Sequence, residues 1–114
     1  MPSNGRIAAI TGAGTGIGQS AALNLLKNGY CVALAGRRIE PLLETIEQSG
    51  VDKSRTVAVS TDVSDVDSVK HFFRQIKESF GRLDILFNNA GMGAPRISLE
   101  DLSLEDWQKV VDTN

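Results

Sequence analysis

The residues best suited to chemistry in this sequence are glycines. Thr11-Gly12-Ala13-Gly14-Thr15-Gly16-Ile17-Gly18 sets four of them between an apolar run and an amphipathic one. Without side chains, Gly12, Gly14, Gly16 and Gly18 let the backbone turn sharply, let a phosphate approach main-chain N–H groups and let a helix pack closely on a sheet. The first N–H groups of a helix starting here would point at a ligand, and its dipole favours an anion, so the segment suits a pyrophosphate. No Gly-Lys-Ser/Thr follows, which argues against a Walker phosphate loop and an NTPase. The strict G-x-G-x-x-G pattern also fails, because the match that starts at Gly12 reaches Ile17 where the last glycine is required. A glycine-rich turn alone can be purely structural, and its placement between a strand and a helix is what favours a nucleotide.

Two further clusters lie where a bound nucleotide would extend. An acidic residue about 20 positions after such a turn would accept from a ribose 2′-OH and repel a 2′-phosphate. This chain has Ala35-Gly36-Arg37-Arg38 instead. Two guanidinium groups, each a fork of donors matched to phosphate, favour NADP(H) over NAD(H) and leave NAD(H) usable. The competing reading of Arg37 and Arg38 is a pair of solvated charges at a helix start, matched to Glu40 or Glu44. In Thr61-Asp62-Val63, Asp62 could accept from an adenine amino group or serve as a turn residue ahead of a helix cap at Ser64. In Phe87-Asn88-Asn89-Ala90-Gly91 the small residues and amides suit a backbone lying against a ligand, and both asparagines also suit buried main-chain groups.

These clusters need a scaffold, and the apolar pattern predicts one. Four strand-length runs, Arg6 to Thr11, Cys31 to Gly36, Thr56 to Thr61 and Leu83 to Asn88, are apolar on both faces, as in parallel strands covered by helices. Ile17, Ala21, Ala22, Leu25 and Leu26 follow a helical period, with Gly29 placed as a left-handed cap. Leu42, Leu43 and Ile46 predict a shorter helix from near Pro41 to before Gly50. Val66, Val69, Phe72, Phe73, Ile76 and Phe80 draw a third stripe, opened by Ser64 with Asp67 in a capping-box pattern and closed by Gly81. A last helix opens at Ser103, and the sequence stops inside it. The alternation predicts an α/β fold: a Rossmann-type, doubly wound parallel sheet with helices on both faces.

Composition narrows the partners. At 114 residues the chain is the length of one domain, and its net charge of -2 provides no basic field for nucleic acid. One Cys and one His supply neither a disulfide nor a structural zinc site, so no metal is expected and a reducing, cytoplasmic setting fits. Ile7 to Ile10 is too short for a signal core or a membrane span, so no membrane partner is expected.

Taken together, TGAGTGIG at 11–18, Asp62-Val63, NNAG at 88–91 and Asn114 resemble the short-chain dehydrogenase/reductase superfamily, from Arg6 to Asn114. They are most similar to its subfamily with chains of roughly 250 residues. The resemblance implies an NAD(P)-dependent oxidoreductase acting on a small carbonyl or alcohol substrate, as a homodimer or homotetramer. It implies a pyrophosphate turn of Gly12, Gly16 and Gly18 with Gly14, Thr15 and Ile17 beside them, and a basic residue at Arg37 that goes with NADP(H). It also implies adenine contacts at Asp62 and Val63, a ribose segment at Asn89, Ala90 and Gly91, and a catalytic asparagine at Asn114 that helps organise a water and the active-site lysine.

The same resemblance exposes a gap. The family's Ser and Tyr-x-x-x-Lys would lie beyond Asn114, and Tyr30 is followed four residues later by Leu34 rather than lysine. His71 sits between Val69 and Phe72 on the third helical stripe and reads as structural. Residues 1–114 are therefore expected to be the NAD(P)-binding part of a longer enzyme, inactive alone, with the fourth strand or its neighbour left as an apolar edge. The alternative is a nucleotide-binding or interaction module without turnover that ends at Asn114.

Overall fold

The computed structural model describes residues 5–14 and 16–88. Its elements alternate: β1 (Ile7–Thr11), α1 (Gly16–Lys27), β2 (Cys31–Gly36), α2 (Ile39–Ser49), a 3₁₀ turn (Lys53–Arg55), β3 (Thr56–Ser60), α3 (Val66–Phe80) and β4 (Ile85–Asn88). The four strands form one parallel sheet in the order β3-β2-β1-β4. Rossmann-type α/β architecture is therefore present, with β1 and β2 in the middle of the sheet.

Central position explains their composition. All of β1 and the first five residues of β2 are buried, so neither strand has a face available for polar side chains. Successive residues point to opposite faces and build two cores. Ala8, Ile10, Val32 and Leu34 pack with Ala22 and Leu26 of α1 and Leu42 and Ile46 of α2. Ile7, Ala9, Cys31, Ala33, Ala35 and Val59 pack on the other side with Val69, Phe72, Phe73 and Ile76 of α3. Helices therefore cover both faces, and the Cys31 thiol is a small buried group in the second core. Among the described residues β4 lies at one end of the strand order, with Ile85 37% and Phe87 38% exposed.

The helix ends largely follow their sequence signals. Gly29, Gly50 and Gly81 close α1, α2 and α3 with φ of 93°, 66° and 81°, a left-handed conformation that glycine adopts without a Cβ penalty. α2 begins at Ile39, two residues before Pro41, and the first turn tolerates a proline because N–H groups there have no helical partner. At α3 the cap is Asp65 rather than Ser64: the Asp65 carboxylate accepts from Asp67 N at 3.0 Å. Ser64 turns back instead, and both its N–H and its hydroxyl donate to Asp62 Oδ1. Two adjacent residues could cap this helix, and the hydroxyl is already engaged by Asp62.

Candidate nucleotide-binding site

In a parallel sheet all carboxyl ends lie along one edge, so the exits of successive strands become neighbours. Thr11 pairs in register with Ala35 and Asn88, and Gly36 pairs with Ser60. The segments that follow, Gly12 to Gly18, Arg37-Arg38 and Asp62-Val63, are thereby brought to one edge. The chain thus gathers three of the clusters that the sequence singles out.

The glycines do different work within the first cluster. Gly12 and Gly16 have φ of 64° and 56°, so both take the left-handed conformation. A Cβ added at Gly16 would meet no atom of the described residues within 4 Å, which leaves the first residue of α1 open among them. Ile17 follows with 70% of its surface exposed, and Gly18 is buried in α1. Gly14 has a packing role: a Cβ there would lie 2.7 Å from Pro41 Cβ on α2. Gly14→Ala is accordingly expected to destabilise the intact protein by about 1–3 kcal/mol, since two rigid carbons would have to separate. An unchanged urea midpoint would show that α2 yields without cost.

Two residues outside the sequence expectations secure this turn. Ala13 N donates to Ala35 O at 3.1 Å, tying the turn to β2. Buried Thr45 on α2 donates to Pro41 O at 2.9 Å and accepts from Gln19 Nε2 of α1 at 3.2 Å, joining the helices that flank the glycines. A threonine inside an otherwise apolar helical stripe was the available signal, and only the α1–α2 contact gives it meaning.

The second and third clusters meet each other. Arg37 Nη2 lies 3.6 Å from Asp62 Oδ1, with the two side chains 75% and 47% exposed. Arg38 Nε lies 3.9 Å from Glu40 Oε1, which is the solvated pairing weighed for it from the sequence. Asp62 also forms the turn before α3, so its structural reading holds. Hydrogen bonds from the Ser64 hydroxyl and N–H hold its carboxyl below the usual aspartate range, and the nearby Arg37 charge acts in the same direction. Val63 beside it is half-buried.

Other expected positions fall elsewhere. Thr15, Asn89, Ala90, Gly91 and Asn114 lie outside the described residues. Tyr30 precedes β2 at the opposite end of the sheet, its hydroxyl accepting from Arg6 Nη1 at 3.5 Å, and His71 is exposed on α3. No helix among the described residues is long and apolar enough to cross a membrane.

Comparisons with known proteins agree with this geometry. The family model described as short chain dehydrogenase matches residues 6–114. The 3-oxoacyl-(acyl-carrier-protein) reductase FabG of Staphylococcus aureus is 39% identical over 111 residues, a match covering 94% of this chain and 44% of the relative. A short chain dehydrogenase structure from Bacillus anthracis superposes with a TM-score of 0.73 at 34% identity, covering 96% of this chain and 43% of that one. The 3-ketoacyl-(acyl-carrier-protein) reductase of Brucella melitensis, solved with NADH, has a TM-score of 0.66 at 30% identity, covering 72% of this chain and 33% of that one. This chain spans less than half the length of each of these relatives.

Proposed function

This chain belongs to the short chain dehydrogenase family, and we propose that it is the cofactor-binding part of an NADP(H)-preferring oxidoreductase acting on a small carbonyl or alcohol. The observation that carries the reading is the side-by-side exit of the glycine turn and of Arg37, with no acidic residue at the end of β2. A guanidinium there would bind a 2′-phosphate, and an aspartate or glutamate would repel it.

The residues present fit such a cofactor. Among the described residues the space above Gly16 is open, which would admit a pyrophosphate to the amino end of α1, where N–H groups and the helix dipole stabilise its charge. Arg37 and Arg38 would hold the 2′-phosphate, with Arg38 leaving Glu40 to do so. Asp62 retains a second carboxylate oxygen for an adenine amino group while Oδ1 holds Ser64. By family resemblance, Val63 would complete the adenine contacts, Thr15 and Ile17 would flank the pyrophosphate, Asn89, Ala90 and Gly91 would lie along the ribose, and Asn114 would help organise a water and the active-site lysine. When bound, the nicotinamide would supply or accept the hydride.

We place the Ser and the Tyr-x-x-x-Lys pair after Asn114, in keeping with a chain that spans 44% of the FabG relative. A reading frame without Tyr-x-x-x-Lys within ~60 residues of Asn114 would remove that part of the proposal. A cytoplasmic, oligomeric enzyme that binds neither nucleic acid nor membrane fits the sequence. The kinship with a reductase solved with NADH keeps NAD(H) as a second cofactor.

Gly16→Val tests the site directly. Its side chain would enter the open space and strain a residue at φ 56°, so NADPH affinity is expected to fall about tenfold or more. Calorimetric titration of the intact protein reads this; an affinity within about a factor of two of the parent would place the cofactor elsewhere.

A further inference from the structure

Arg37 is fastened at two points by the segment that leaves β3. Ser60 Oγ donates to Arg37 O at 2.8 Å, and the adjacent Thr61 N donates to Gly36 O at 2.7 Å, so the exit of β2 is stitched to that of β3. Farther out, Arg37 Nη2 rests 3.6 Å from Asp62 Oδ1. Asp62 is itself held: Oδ1 accepts from Ser64 N at 2.9 Å and from Ser64 Oγ, and Asp62 N donates to Ser68 Oγ at 2.9 Å. A carboxylate with little freedom thus faces a long, exposed arginine.

We propose that Ser60 and Asp62 are positioning residues that hold Arg37 ready for a 2′-phosphate, Ser60 through the main chain and Asp62 through the guanidinium. The proposal rests on the NADP(H) reading above and assigns the source of its discrimination. An arginine has five N–H donors, and one contact with Asp62 leaves most of them for phosphate oxygens. An unrestrained arginine loses extensive rotamer freedom when it closes on an anion, and restraint beforehand removes much of that loss. Asp62 also repels a phosphate, and solvent at 75% and 47% exposure weakens both that repulsion and the attraction to Arg37, so the proposal requires the restraint on Arg37 to outweigh the repulsion.

The test compares two probes on the intact protein by calorimetry: adenosine 2′,5′-bisphosphate and adenosine 5′-monophosphate. Adenine and the 5′-phosphate are common to both, so the ratio of affinities isolates the 2′-phosphate. Asp62→Asn keeps an acceptor for Ser64 N and is expected to lower that ratio about threefold, and Ser60→Ala to lower it about twofold. In an Arg37→Met background neither substitution should change the ratio, because the arginine they position is gone. A ratio that is unchanged or raised in both single variants overturns the proposal, as does an equal fall without Arg37. A parent ratio near one instead overturns the NADP(H) reading, and the positioning role with it.

Discussion

Arg37→Asp should reverse the cofactor preference of the intact protein. Arg37 is 75% exposed at the end of β2 and approaches Asp62 at 3.6 Å, so the substitution disturbs no core packing among the described residues. It removes charge-assisted hydrogen bonds to a 2′-phosphate and puts a second carboxylate beside Asp62, where a dianion would have to lie. Loss of attraction and gain of repulsion together are expected to shift the NADPH-to-NADH affinity ratio by about a hundredfold. NADH should gain in absolute affinity if the new carboxylate accepts from the ribose 2′-OH. Steady-state kinetics or direct titration with both cofactors measures the shift, and an unchanged preference would remove Arg37 from the 2′-phosphate site.

The largest stability effect is expected at Arg55, far from that site. Arg55 is only 7% exposed, and its Nη2 donates to Leu26 O at 2.7 Å and Tyr30 O at 2.8 Å. The first carbonyl lies in the last turn of α1, where a cation also opposes the negative end of the helix dipole. The second lies just before β2, so one guanidinium fastens the α1–β2 connection to the start of β3. Its Nε has no partner among the described residues, so the stabilisation comes from Nη2, which makes both bonds. Arg55→Leu would leave two carbonyls facing a side chain without donors, and a loss of about 3 kcal/mol is expected. Arg55→Lys can still reach one carbonyl and should cost about half as much. Urea unfolding of the intact variants decides; a loss below about 0.5 kcal/mol for Arg55→Leu would mean that water replaces the lost donor without penalty.

Arg55 also marks where sequence reading stops. A charged residue ahead of a strand reads as solvated, and nothing local announces two carbonyls from a different crossover. Gly14 is similar: among the glycines it belongs to a phosphate-binding pattern, yet the residue that would collide with its Cβ is Pro41 of α2. Asp62 left two readings open, adenine acceptor or turn residue. The structure makes it a turn residue through Ser64 and also links it to Arg37, which neither reading contained. Even a local signal misled at α3, where Ser64 and Asp65 both had cap chemistry and the competing bond to Asp62 chose between them.

By itself, the sequence determined the order of strands and helices, the helix-ending glycines and the glycine turn between β1 and α1. These depend on periodicity and on backbone freedom over a few residues, and both are local properties. Only the tertiary structure decided that β1 and β2 take the middle of the sheet, that Arg37 meets Asp62 and that Arg55 is buried. Strand order and register set those contacts between residues far apart in the chain, and no local pattern encodes them.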